Sequence, residues 1–362
     1  MKINFLVPTT GITGGIRVVF EHANNLIKLG HDVTIIYPFI LSVNAGKIET
    51  AKGWAKRAKR KILGLFDLDK ITWFALSEKV KILRTPDLSA KFIPSADATI
   101  ATANETADWL ADYPEDKGEK FYFIQDYETW TRPKDKVNAT WKLPLKKIVI
   151  AEWLKNLASE KFNEDVAGVV FNGVDQEKFY NNEKKFNNSK KFLMMYHVLE
   201  KKGFLDGLEA FNIAKRKHPD VTLTLFGAYR LKRNFGKNIE YFYRPSVEKL
   251  RELYSESDIF LWPSREEGFG LPPLEAMACK CAVIATATGA VKDYAVHNES
   301  AVIVPPSRPD LMAEEIIKLI NDDNKIKKIS LAGFNKASEF SWEKSTQALI
   351  DILSKYVGAD KK

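Results

Sequence analysis

Glu267 and Glu275 flank the run Gly268-Phe269-Gly270-Leu271-Pro272-Pro273-Leu274. The run follows an apolar stretch, Ile259-Phe260-Leu261-Trp262, that reads as a buried strand. Two glycines let the backbone approach a ligand closely, and Pro272 or Pro273 suits a first helical turn. A helix starting there offers unpaired N–H groups and a positive dipole end to a phosphate. On this reading Glu275 falls in the first helical turn, and Glu267 stays in the loop before it. Carboxylates are poor phosphate ligands but good acceptors for sugar hydroxyls. The pattern therefore points to a phosphate cradle with a sugar-binding acid on either side. The competing reading is an ordinary strand–loop–helix junction in which Glu275 serves the helix dipole.

Other residues carry weaker signals. Asp126 follows the apolar run 121–124 and is the candidate base for a hydroxyl, with loop capping as the competing role. Glu128 is a weaker candidate for the same task. Asp67-Leu68-Asp69 has the D-x-D form of metal sites but does not follow a buried strand, and no metal is expected. Gly11, Gly14 and Gly15 lack the G-x-G-x-x-G spacing, and the second strand ends in Ile36-Tyr37-Pro38 without an acid for a ribose. A dehydrogenase is therefore disfavoured. Cys279 and Cys281 lie in an apolar run and read as small core residues in a reducing, cytoplasmic setting.

These residues need elements to hold them. The opening reads as a strand at 2–7, a loop containing Gly14-Gly15, a helix at 16–29 closed by Gly30, and a second strand at 32–37. Further strands fit 98–101, 121–124, 147–150 and 168–171, with helices at 105–111 and 152–162. The polar, charged run 181–191 reads as a linker. Strands then fit 192–195, 221–226, 239–242, 258–262, 282–285 and 301–304. Helices fit 204–217, 247–255, 273–278, 309–321 and 325–339. Alternating strands and helices predict an α/β protein of two doubly wound, Rossmann-like domains facing each other across a cleft. The expected domains are 1–180 and 181–340, with 341–362 as a helix crossing back to the first.

The Glu267–Glu275 run resembles the E-x7-E element of glycosyltransferase family 4, retaining enzymes of the GT-B fold. Asn172-Gly173-Val174-Asp175 with Phe179 resembles the family's domain-junction segment, and Lys202-Gly203 resembles its KG. Gly14-Gly15 resembles the glycine loop under the donor phosphates, and Ser341-Trp342-Glu343 resembles the segment crossing back. The runs 123–128 and 101–107 further resemble a subset that includes bacterial rhamnosyltransferases. The resemblance implies that Glu275 binds the ribose hydroxyls and Glu267 the donor sugar. It implies that the backbone of Phe269, Gly270 and Leu271 meets the diphosphate, with Lys202 neutralising it. Five positions before Lys202 the family usually has an arginine, and here stands His197. Either His197 contributes a hydrogen bond, or Arg230 or Arg244 supplies the charge. The base of the nucleotide is expected near Tyr243-Arg244-Pro245.

The chain has 362 residues, 45% hydrophobic and 28% charged, which suits two globular domains. No stretch approaches the ~20 apolar residues of a membrane span, and no signal peptide is read at the start. The net charge of +8 favours anionic partners. Much of it sits in an insert at about 45–90, where Lys47 to Phe66 alternates lysines and arginines with apolar residues, and Trp73 and Phe74 follow. This segment reads equally as an element for an anionic membrane surface and as a solvated helix packed on the first domain. The expected partners are a nucleotide-sugar donor and a glycan or lipid-linked acceptor, without nucleic acid and without a cofactor. The expected place is the cytoplasm, with peripheral association at the inner membrane face. Two rival functions stand beside transfer: a sugar-nucleotide epimerase of the same fold, and a basic module for membrane or nucleic acid.

Overall fold

The computed structural model describes residues 1–41, 55, 71–186, 190–231, 235–236 and 239–358. Chain contacts divide the protein into one unit of Met1–Phe171 with Trp342–Lys362, and a second of Asn172–Ser341. The charged run 181–191 therefore lies inside the second unit. The chain enters and leaves that unit side by side, where Val174 pairs with Ser341 and its N–H donates to the Phe340 carbonyl at 3.0 Å.

Runs of apolar residues form β1 (Lys2–Leu6), β2 (Asp32–Pro38), β3 (Lys81–Thr85) and β4 (Ala98–Ala101). They continue as β5 (Glu119–Ile124), β6 (Lys146–Val149) and β7 (Gly168–Val169). These seven strands make one parallel sheet in the order β3-β2-β1-β4-β5-β6-β7. Crossovers run through α1 (Gly14–Lys28), α2 (Asn104–Ala111), α3 (Lys134–Thr140) and α4 (Glu152–Leu157). A π-helical turn, Ala158–Phe162, extends α4.

β3 corrects the reading of 45–90 as a single insert. Its sequence, KILRT, carries charge at both ends and hides an edge strand that is only half buried. The Arg84 guanidinium lies over the Phe39 ring, 3.8 Å from its centroid, so its charge covers apolar surface. Trp73 and Phe74 are half-buried against the first unit. Both rings pack on Phe20 of α1 at 5.4 Å, and the Trp73 indole N–H donates to the Thr10 carbonyl at 3.0 Å. The basic run Lys47 to Phe66, except Ala55, and Asp67-Leu68-Asp69 lie outside the described residues.

The second unit comprises β8 (Lys191–Met195), β9 (Thr222–Gly227), β10 (Ile239–Tyr243), β11 (Ile259–Trp262), β12 (Ala282–Thr286) and β13 (Val302–Val304). They form a six-stranded parallel sheet in the order β10-β9-β8-β11-β12-β13. Its helices are α5 (Phe204–Lys217), α6 (Val247–Glu256), α7 (Leu271–Ala278), α8 (Val291–Tyr294), α9 (Pro309–Ile320) and α10 (Asp323–Ala337). Phe192, Phe211, Leu225, Leu261, Ile284 and Ile316 belong to the core between sheet and helices. Cys279 and Cys281 are buried and free of disulfides, and burial pushes the Cys281 thiol up to about 12.

The last helix, α11 (Trp342–Tyr356), packs on the first unit. Fully buried His22 of α1 hydrogen-bonds Thr346 of α11 at 3.0 Å, and the Trp342 ring meets the His22 ring edge-on. In both sheets the strand order reverses once, between β1 and β4 and between β8 and β11. Ligands of open parallel sheets bind outside the carboxyl ends of the strands at such a reversal. The Lys202-Gly203 and Glu267–Glu275 motifs flank the reversal of the second sheet.

Candidate functional site

In the second unit, the loop after β8 and the loop after β11 are pressed together. Gly203 adopts φ 61°, and a Cβ there would lie 1.9 Å from the Pro263 carbonyl oxygen. Only glycine allows that approach. The Lys201 carbonyl accepts from the Arg265 N–H (2.7 Å) and the Glu266 N–H (3.1 Å). Arg265 then grips both oxygens of Asp206 at 2.8 Å and reaches Glu200 at 2.7 Å. A planar guanidinium suits such a two-point grip.

This frame holds two of the predicted catalytic groups, Lys202 and Glu267, against each other. Lys202 Nζ donates to Glu267 Oε1 at 2.7 Å, and the Ser264 hydroxyl donates to the same oxygen at 2.8 Å. The Lys202 side chain is 19% exposed and that of Glu267 8%. The pair is largely enclosed, with the lysine the more exposed partner. Gly289, at φ 58°, is packed against Glu267, and a Cβ there would sit 2.7 Å from the Glu267 Cβ. The sequence reading passed over Ser264 and Gly289, because their contacts with Glu267 depend on folding rather than on the motif.

α7 begins at Leu271, one or two residues before the predicted start, with Gly270 as its N-cap at φ 90°. The buried Tyr294 hydroxyl fixes that cap by donating to the Gly270 carbonyl at 2.8 Å. Pro272 and Pro273 carry no N–H, so the donors left at the helix start are those of Gly270 and Leu271. The early start moves Glu275 out of the first turn, which contains no acid. Both readings that placed Glu275 there are thereby corrected. Glu275 is 3% exposed and accepts from the Tyr254 hydroxyl at 3.2 Å.

His197 does not replace an arginine as a cation. Its Nδ1 accepts from the Leu199 N–H at 3.0 Å, and its ring meets Tyr229 at 4.8 Å. Burial, with Lys202 and Lys201 close by, lowers its pKa to about 4. The imidazole is neutral at pH 7 with its proton on Nε2, and it offers a hydrogen bond rather than a charge. Arg230 and Arg244 are exposed, and both guanidinium groups lie over the Tyr243 ring, at 5.3 and 5.2 Å. Arg244 has φ 48°, and its N–H donates to the Gly227 carbonyl at 2.8 Å. The two guanidinium groups are thus held at the carboxyl ends of β9 and β10.

In the first unit, Gly14 and Gly15 are the opening residues of α1 rather than part of the preceding loop. The Thr13 side chain caps that helix by accepting from the Ile16 N–H at 3.3 Å. A Cβ on Gly15 would meet Gln125 at 3.3 Å, and the Gln125 amide donates to the Gly15 carbonyl at the same distance. Asp126 accepts from the Tyr127 N–H at 2.8 Å, a local loop contact. Glu128 lies at φ 43° and accepts from both the backbone and the side-chain amide of Asn104, at 2.9 and 3.0 Å.

Among the described residues, no cluster of three or more histidines, cysteines or acids is placed to hold a metal ion. No helix among them is long and apolar enough to cross a membrane.

Residues 175–336 match the family model for glycosyl transferases group 1. An uncharacterized glycosyltransferase of Methanocaldococcus jannaschii is 28% identical over 205 residues, 54% of this chain and 56% of that protein. The capsular polysaccharide biosynthesis glycosyltransferase CapM of Staphylococcus aureus is 29% identical over 54% of this chain and 59% of its own length. The chain thus spans little over half the length of these two curated relatives. Anabaena HepE, solved in complex with UDP-glucose, has a TM-score of 0.73 at 15% identity over 98% of this chain and 100% of its own. Residues 175–336 thus resemble a glycosyl transferases group 1 domain, and the chain has the two-sheet GT-B fold of its solved glycosyltransferase neighbours.

Proposed function

We propose that the protein transfers a sugar from a nucleoside-diphosphate donor to a hydroxyl of a glycan or lipid-linked acceptor, keeping the anomeric configuration. The observation that carries this reading is the Lys202–Glu267 pair, held at the reversal of the second sheet beside the glycine-capped start of α7. As the glycosidic bond to phosphate breaks, negative charge gathers on the leaving diphosphate and positive charge on the sugar. Lys202 and the N–H groups of Gly270 and Leu271 meet the first, which is electrostatic stabilisation of the developing charge. In the first unit, the amides of Gly14 and Gly15 at the start of α1 are the candidate contacts for a donor phosphate. Glu267 takes sugar hydroxyls, Glu275 takes the ribose, and Arg244 or Arg230 lies near the base. The neutral His197 donates a hydrogen bond. Nothing in this scheme calls for a metal ion.

HepE was solved with UDP-glucose, so UDP-sugars lead the donor panel, followed by dTDP-, GDP- and ADP-sugars. The capsular relative supports a place in surface polysaccharide or glycolipid assembly, and the rhamnosyltransferase-like runs make a deoxyhexose donor part of the panel. We place the reaction at the cytoplasmic face of the membrane. A true donor raises the melting temperature, because a ligand at about 100 times its Kd stabilises the native state by about 2.7 kcal/mol. Lys202→Met should then lower turnover by about 10²–10³-fold. Turnover within threefold of wild type would remove Lys202 from the site. Conversion of the sugar nucleotide without any acceptor would replace transfer by epimerisation.

A further inference from the structure

Within the second unit, Glu267 is held by a single oxygen. Its Oε1 accepts from Lys202 Nζ at 2.7 Å and from the Ser264 hydroxyl at 2.8 Å. Its Oε2 has no hydrogen-bond partner among the described residues. The Tyr294 hydroxyl feels the Glu267 charge, yet it gives its proton to the Gly270 carbonyl. The carboxylate is therefore anchored at one end and open at the other.

The two donors differ in how firmly they fix Oε1. Lys202 reaches it on a long, flexible stem, and an ammonium can turn its hydrogens toward many acceptors. Ser264 is fully buried, and its hydroxyl sits close to a backbone that is tied on both sides. The Ser264 carbonyl accepts from the Thr286 hydroxyl at the end of β12. The next two N–H groups, of Arg265 and Glu266, are taken by the Lys201 carbonyl. A hydroxyl has one proton to give. The oxygens within reach of this one are the Lys201 carbonyl at 3.2 Å, the Glu266 carbonyl at 3.0 Å and Glu267 Oε1 at 2.8 Å. The carboxylate is the nearest, and a hydrogen bond to a charged acceptor is the stronger kind. Gly289 leaves the side chain little room to swing, since even a Cβ there would come within 2.7 Å of the Glu267 Cβ.

We propose that Ser264 is a positioning residue for the donor sugar. It fixes the direction of the Glu267 carboxylate through Oε1, so that Oε2 is presented to a sugar hydroxyl. The role rests on the transfer reading above, in which Glu267 takes the sugar. A carboxylate aimed before the sugar arrives loses less freedom on binding than one that must be ordered by it. Ser264 does this without adding charge, which leaves the ammonium of Lys202 to the diphosphate.

The test uses the full chain and two ligands. One is the sugar nucleotide that most raises the wild-type melting temperature, and the other is its nucleoside diphosphate without the sugar. Isothermal titration calorimetry gives both Kd values for wild type, Ser264→Ala, Glu267→Ala and the double variant. Ser264→Ala should weaken the sugar nucleotide by about 10–100-fold, the range of a hydrogen bond to a charged group. The sugar-free diphosphate should stay within about threefold of wild type, the scatter expected of uncoupled groups. On the Glu267→Ala background the serine substitution should add less than about threefold, because no carboxylate remains to be aimed. A serine that only supports the loop would weaken both ligands alike and would keep its full effect without Glu267. Either of those results overturns the assignment, and so does an unchanged sugar-nucleotide Kd in Ser264→Ala. A wild type that binds no sugar nucleotide overturns the transfer reading, and the role falls with it.

Discussion

At His197 the family resemblance calls for a permanent charge, and this chain supplies a ring that stays neutral. The cause lies in its surroundings: burial opposes protonation, and Lys202 and Lys201 repel a second cation. The folded pKa of about 4 lies below the usual histidine value of about 6.5. Between pH 5.5 and 8 the residue should therefore add no titration to donor binding. Two-dimensional NMR of the ring protons should give a midpoint near 4, and a midpoint above 6 would restore the histidine as a cation. On the proposed function, the charge that meets the diphosphate is that of Lys202, with Arg230 and Arg244 held at the ends of β9 and β10. Glu267 and Glu275 also part company at this scale. One shares its oxygen with a lysine and a serine near the surface, and the other is buried under Tyr254.

Among the elements, α11 is held to the first unit by a contact with its own pH dependence. Burial lowers His22 to about 3, because its ring is enclosed by Phe123, Trp342 and Thr346. The unfolded ring keeps a pKa of about 6.5. A folded value below the unfolded one means the stabilising contribution is complete above about pH 6.5 and is lost as pH falls toward 3. In that window the first unit should lose about 1.4 kcal/mol per pH unit through His22. Urea titrations from pH 7 to 4.5 check the slope. His22→Leu should remove this part of it, and an unaltered slope would place the acid sensitivity elsewhere. The helix starts teach a related point. α1 and α7 both begin earlier than their apolar periodicity, at Gly14 and Leu271. Thr13 and Gly270 set those starts as N-caps, and periodicity does not register a cap.

For the whole molecule, the formal charge of +8 has no single described home. Many described lysines and arginines are committed locally, such as Arg265 to Asp206 and Glu200, Lys147 to Glu164 and Lys146 to Glu119. The run from Lys47 to Phe66 concentrates basic residues in a short stretch of sequence. A basic segment near an anionic surface contributes about 1 kcal/mol per charge, and salt screens it. Co-sedimentation with vesicles rich in anionic lipid should fall when this run is deleted and should weaken with added salt. Equal sedimentation of the deletion variant would dispose of the membrane reading.

From the sequence alone came the alternation of strands and helices, the two doubly wound domains, and the glycines and prolines before α7. Those features are local: side-chain spacing, proline's missing N–H and glycine's freedom are properties of short runs. Its motifs also singled out Lys202 and Glu267, which the fold pairs at 2.7 Å. The charged strand β3 escaped it because Lys81 and Arg84 mask an edge strand. Only the tertiary structure decided that Gly203 and Gly289 press two loops around Lys202 and Glu267, that Glu275 is buried, and that His197 is neutral. The same holds for Glu128, whose surroundings come from Asn104, distant in sequence and adjacent in the fold. Pairing and protonation depend on the groups that folding brings together from distant segments, and residue type and spacing do not encode those neighbours.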